Sequence, residues 1–180
     1  NTQAMVRWVK SGNGKYTHDF AVRERYLQAA KNASLTPEAL IFQVWDYHIG
    51  RDPKWKIGTG MYGQTGVNEA QPVPVSVVDP GTGKVEAMKG PAYGNAKAEA
   101  FWRPVAEGVR RRVKKLGCER AMVLGLAGDY VPTKQTVHLW AKLWPGVPWS
   151  AMAHGSTSHL YSVPVGYAGT VLHRRFAVDP

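Results

Sequence analysis

Four apolar segments of this sequence each end in a residue that can hold or transfer a proton. These residues are Asp46, Asp79, Asp129 and His154. Paired carboxylates of this kind can divide acid and base work between them. Asp129 directly follows LGLAG, and an apolar surround raises the pKa of a carboxyl group towards the range in which it acts as an acid near neutral pH. We predict Asp129, Asp46 and Asp79 as catalytic residues.

Each of these residues also has a purely structural interpretation. Asp79 precedes PGTGK and could form a turn, and Asp129 could cap a helix that begins near Thr133. Asp46 could brace the loop that follows it, and His154 could lie in the core or in a loop. The shared position at the ends of apolar runs favours a common site.

Aromatic and polar residues close to these positions suit a carbohydrate. A flat ring can pack on the apolar face of a sugar, while polar groups bind its hydroxyls. Trp55 lies in a long Gly-rich segment, residues 47–71, where loops of that length usually have a function. The predicted substrate-binding residues are Tyr47, His48, Trp55, Tyr130, Trp149 and His154.

The elements that must position these residues alternate between strands and helices. Strands are predicted at 4–9, 39–46, 72–79, 120–129, 148–154 and 165–172, and helices from about residue 17, over 97–116 and from 133. VEAM is predicted to return as a hairpin. This order predicts one α/β domain over residues 1–180, with a parallel sheet and covering helices. It forms either part of a (β/α)₈ barrel or an open doubly wound sheet. Because the carboxyl ends of parallel strands share one rim, the four residues should meet there.

The composition limits the class of protein. The formal net charge is +10, which suggests an anionic partner such as a polysaccharide, although no nucleic-acid motif is present. In RRRVKK, Val113 has the spacing of a buried helical face, so most of these charges should be solvated. One cysteine, Cys118, excludes a disulfide framework and a Cys-rich zinc site. No apolar run is long enough to span a membrane. We predict no cofactor.

Four segments resemble the catalytic barrel of family-123-type glycoside hydrolases and their exported bacterial relatives. The segments are VSVVDPGTGKVEAM, FWRPVAEGVRRRVKKLG, AMVLGLAGDYVP and PWSAMAHG, within residues 39–155. The resemblance implies a (β/α)₈ barrel, hydrolysis of N-acetyl-hexosaminides and a secreted or periplasmic location. The first residue is Asn1, and the chain is expected to be part of a larger barrel.

The family places an adjacent Asp–Glu pair after a barrel strand. The Asp steadies the acetamido group of the substrate and the Glu is the general acid. The matching place here reads Gly128-Asp129-Tyr130, with one carboxylate. The resemblance therefore implies one of the two roles for Asp129, for which we choose acid/base, while Asp46 or Asp79 would supply the other.

Two alternatives to a glycoside hydrolase remain open at this point. One is a basic module that binds an anionic polysaccharide without chemistry, which would lose binding steeply with added salt. The other is a metal-dependent hydrolase that uses Asp46, His48, Asp129 and His154, although no His-Glu-x-x-His motif is present.

Overall fold

The computed structural model describes residues 4–33, 36–46, 72–127, 132–153 and 158–170. In these ranges, strands and helices follow each other as β1 Arg7–Lys10, β2 Tyr16–Asp19, α1 Ala21–Asn32, β3 Leu40–Asp46, β4 Val73–Val78, β5 Val85–Gly90, α2 Ala98–Lys115, β6 Met122–Ala127, α3 Lys134–Leu143, β7 Trp149–Ala153, β8 His159–Leu160 and β9 Val163–Thr170.

The strands of the described ranges form two mixed sheets. Sheet A has the order β2-β1-β4-β5, and sheet B has the order β3-β6-β7-β9-β8. In sheet B the pairs β3–β6, β6–β7 and β7–β9 are parallel, and β8 is antiparallel. The prediction of an α/β fold is confirmed, but the single parallel sheet is wrong because two hairpins, β1–β2 and β4–β5, run antiparallel in sheet A. The described residues do not show a closed barrel.

The first hairpin replaces the helix that the sequence predicted from residue 17. Thr17 pairs with Val9 in an antiparallel ladder, and the helix begins at Ala21. Asp19 does serve the helix start, because its Oδ1 accepts a hydrogen bond of 2.8 Å from the backbone N–H of Ala21. Asp19 thus contacts the first turn of the helix although it is itself the last residue of β2.

Helices α2 and α3 cover the sheets with the stripes that their sequences predicted. Val113 is fully buried within the basic run at the end of α2, and Leu116 and Gly117 end that helix. On α3, Thr133 is the N-cap and Val137 and Trp140 are buried. The basic residues of α2 thus lie around one apolar face, as amphipathic periodicity requires.

Aromatic rings form much of the core between the two sheets. The ring of Trp8 on β1 stacks on Phe101 at 5.2 Å, and Trp102 and Trp140 lie 6.3 Å apart across α2 and α3. Each of the tryptophans in the described ranges is buried: Trp8, Trp45, Trp102, Trp140, Trp144 and Trp149. Within these ranges, no helix has the length and apolar character needed to cross a bilayer.

Candidate functional site

The carboxyl ends of two neighbouring parallel strands define the candidate site. In the register of β3 and β6, Asp46 is the partner of Ala127, which precedes Asp129 by two residues. Strand β7, which leads to His154, runs parallel to β6 on its other side. The described ends of three parallel strands, at Asp46, Ala127 and Ala153, therefore lie at the same end of sheet B.

A β-bulge lies two residues before Asp46. Gln43 pairs with Gly125 and Trp45 with Leu126, so Val44 is an extra residue in β3. Phe42 and Trp45 are both buried although they are three residues apart, because the bulge shifts the alternation of the strand by one. The bulge therefore shifts the alternation between the two faces of β3 for the residues from Val44 to the end of the strand at Asp46.

Tyr93 holds this bulge from outside the strand. Its hydroxyl donates a hydrogen bond of 2.6 Å to the backbone carbonyl of Val44, and its side chain is buried. Burial raises the pKa of the Tyr93 phenol, so it stays protonated and can remain a donor. Sequence reasoning missed Tyr93, because it lies in the irregular segment GPAYG, 49 residues away from its partner.

Asp79 does not follow a strand of sheet B. It follows β4 in sheet A, and its Oδ1 accepts hydrogen bonds from the backbone N–H groups of Gly81 at 2.9 Å and Thr82 at 3.2 Å. These bonds from Thr82 and Gly81 hold the pKa of Asp79 below its usual range. An ionised carboxylate engaged in a turn is poorly suited to donate a proton, and the turn-forming interpretation accounts for its contacts.

Trp149, predicted to contact substrate, has no exposed surface with which to do so. Its side chain is 0% exposed at the start of β7, where the strand pairs with Leu124. It belongs to the core because β7 is central in sheet B, between β6 and β9.

The other predicted site residues lie outside what the structure describes. They are Tyr47, His48, Trp55, Asp129, Tyr130 and His154, and for Asp46 only the backbone is described. In the described ranges, no group of three His, Cys, Asp or Glu side chains could hold a metal ion. The metal hypothesis depends on His48, Asp129 and His154, so it stays a prediction.

An apolar cavity of about 330 Å³ lies between the two sheets. Among its walls are Trp8, Trp45, Val75 and Trp102, and Arg23 places its guanidinium carbon 4.8 Å from the centre of the Phe42 ring. None of the described residues that line this cavity is a carboxylate. The strand edge near Asp46 remains the candidate site.

Comparison with known proteins gives a family and a fold. The family model for the catalytic domain of glycoside hydrolase 123 matches residues 1–136. A solved family 123 glycoside hydrolase from Clostridium perfringens, studied for glycolipid glycan hydrolysis, is similar in fold, with a TM-score of 0.54 and 10% sequence identity. The match covers 88% of this chain and 25% of that one, so this chain spans about a quarter of its relative. A search of curated proteins finds no relative.

Proposed function

The chain belongs to glycoside hydrolase family 123, and from this we propose that it takes part in hydrolysing glycosidic bonds in glycans that contain N-acetyl-hexosamine. The family match over residues 1–136 and the sequence resemblance both support this activity. The Clostridium perfringens relative was studied for glycolipid glycan hydrolysis, so the glycan of a glycolipid is the first substrate class to test.

Asp129 acts in this proposal as the acid/base residue, and Asp46 is the second carboxylate. The observation that carries it is the parallel register of β3 and β6, in which Asp46 is opposite Ala127. Paired positions on neighbouring strands are about 4.8 Å apart, and two residues of chain span at most about 7 Å. These bounds allow the carboxyl separations of about 5–9.5 Å that glycoside hydrolases use.

The single carboxylate in Gly128-Asp129-Tyr130 makes Asp46 necessary to this mechanism. One carboxyl group protonates the leaving oxygen, and the other stabilises the positive charge at the anomeric carbon or steadies the acetamido group. Asp79 is left out because its carboxylate is engaged in the β4–β5 turn. The proposed substrate-binding residues are those that follow β3, β6 and β7: Tyr47, His48, Trp55, Tyr130 and His154.

A module that binds a polyanion without chemistry is the second candidate. It is favoured by the net charge of +10 and by a groove between α1 and α2, where Arg25, Lys31 and Lys115 are exposed. Binding of this kind would weaken steeply with salt and would not depend on Asp129.

Three equivalent substitutions test the proposal. Asp129→Asn and Asp46→Asn keep the size of the side chain and remove the carboxylate, and Asp79→Asn is the matched control in a turn. We expect the first two variants to lose about 10²–10⁴-fold in kcat on an aryl N-acetyl-hexosaminide, which is the usual contribution of a general acid or base. The control should retain kcat. Full activity of Asp129→Asn, or an equal loss in the control, would contradict the assignment.

A further inference from the structure

A polar cleft of about 450 Å³ lies between the first turn of α2, with the loop before it, and the length of helix α3. Tyr93 and Leu139, which are both buried, contribute apolar surface to it. Its polar lining comes from the loop before α2 and from both helices, and consists of Asn95, Glu99, Lys134, Gln135, His138 and Lys142. Such a mixture of hydrogen-bonding groups over a small apolar surface is typical of a site that binds a polar ligand.

The cleft has more positively charged than negatively charged side chains. Its one carboxylate, Glu99, forms an ion pair with Arg103 through one oxygen, while Lys142 Nζ lies 3.9 Å from the other oxygen. Lys134 is exposed and has no ion-pair partner within the described ranges. Because Arg103 already neutralises Glu99, the cleft carries an excess of positive charge from Lys134 and Lys142.

The cleft is also close to the candidate site along the sequence. Helix α3 starts at Lys134, five residues after Asp129, and five residues of chain span at most about 18 Å. Helix α3 follows β6, so its first turn stands on the side of sheet B where β3 and β6 end. The N-terminal end of a helix also favours a negative charge through its free N–H groups and dipole.

We propose that this cleft binds an acidic sugar residue of the glycan substrate, with its carboxylate or sulfate group held by Lys134 in the first turn of α3 or by Lys142 in the last. The side chains of Glu99, Gln135 and Asn95 supply hydrogen bonds to the hydroxyls of that sugar. This inference rests on the proposed function, and it adds to it a preference for anionic over neutral glycans.

A charge-matched pair of double variants tests the cleft. Lys134→Gln with Lys142→Gln removes two charges from it. Lys15→Gln with Lys114→Gln removes two charges from exposed positions elsewhere, since Lys15 lies between β1 and β2 and Lys114 is 15 residues, about 22 Å, along α2 from Glu99. Calorimetry measures the Kd of three N-acetyl-hexosamine oligosaccharides of equal length, one with a uronate residue, one with a sulfated residue and one neutral.

The wild-type protein should bind at least one acidic oligosaccharide more tightly than the neutral one. The cleft variant should weaken acidic binding by about 2- to 30-fold, as expected for two exposed ion pairs, and should reduce the difference between acidic and neutral ligands. The control variant should stay within about twofold of the wild type, and a selective loss for the uronate or the sulfate identifies the group that binds.

Three results would overturn the inference. They are an equal weakening in both double variants, which reports net charge alone, no weakening in the cleft variant, and wild-type binding that does not distinguish acidic from neutral ligands. The Kd readout does not require hydrolysis. Absence of hydrolysis would therefore refute the proposed function, while cleft-dependent acidic binding would still stand.

Discussion

The hydrogen bond between Tyr93 and the bulge of β3 gives a stability prediction that can be worked from the structure. The Tyr93 hydroxyl is 2.6 Å from the carbonyl oxygen of Val44, the residue that the bulge places outside the regular β3–β6 pairing. Tyr93→Phe removes only that hydroxyl. The ring itself can remain packed against Trp102 and Trp140, whose centres are 5.7 and 6.2 Å away.

The expected loss follows from the burial of the groups involved. A buried acceptor that loses its donor costs about 1–3 kcal/mol, and because Val44 is only half-buried we expect the lower part of that range, about 1–2 kcal/mol. For a domain of this size, Tm should fall by about 2–4 °C for each kcal/mol.

Urea denaturation and thermal melting measure this effect, and Tyr167→Phe is a matched control. The Tyr167 hydroxyl also donates to a backbone carbonyl, that of Glu38 at 3.2 Å, but its side chain is 46% exposed, so water can replace the lost donor. The control should lose less than about 0.5 kcal/mol. The reasoning would be refuted if the two variants lost the same stability, or if Tyr93→Phe lost none.

Two further predictions concern packing and pH. Gly108→Ala should destabilise the protein by about 1–3 kcal/mol in urea denaturation although alanine favours a helix, because a Cβ at this position would clash with the Phe20 ring; a stabilised variant would contradict this. A hydrogen bond from the Ala21 N–H, with help from Arg7, holds the pKa of Asp19 below its usual range, so its stabilisation is present above about pH 4 and is lost as the pH falls through the lowered pKa. Asp19→Asn should therefore be less stable than the wild type at pH 7, by about 1 kcal/mol or less, and the difference should shrink below pH 4; a constant difference from pH 7 to pH 2 would exclude this cause.

The sequence predicted the elements whose signal is an apolar run or stripe. Strands β3 and β6 are such runs, so both could be predicted, but their direct pairing could not be read from their order, because a third predicted strand lies between them in the chain. The stripe of α2 likewise predicted the burial of Val113. Burial of apolar side chains stabilises these elements, and the spacing of the apolar residues in the sequence predicts which positions are buried.

Other features involve residues that are compatible with two different local structures. Thr17 and Asp19 read as the start of a helix, yet Thr17 lies in a strand because the GNG segment before it turns the chain back onto β1. An aspartate before PGTGK serves a turn as readily as a site, and the hydrogen bonds of Asp79 are those of a turn. The polar cleft could not be predicted, since Asn95 and Glu99 meet the side chains of α3 only when the two helices pack side by side.

The aromatic core has a consequence for how the fold is held together. No backbone ladder joins sheet A to sheet B in the described ranges, so interlocking rings connect them, from Trp8 and Phe101 through Trp102 and Trp140 to Trp144 and Phe42. A ladder is formed by backbone groups, whereas rings in mutual contact depend on the shape of every neighbour. Substitutions of these rings should therefore be tolerated poorly. Where one ring changes during evolution, we expect a compensating change in a ring that contacts it.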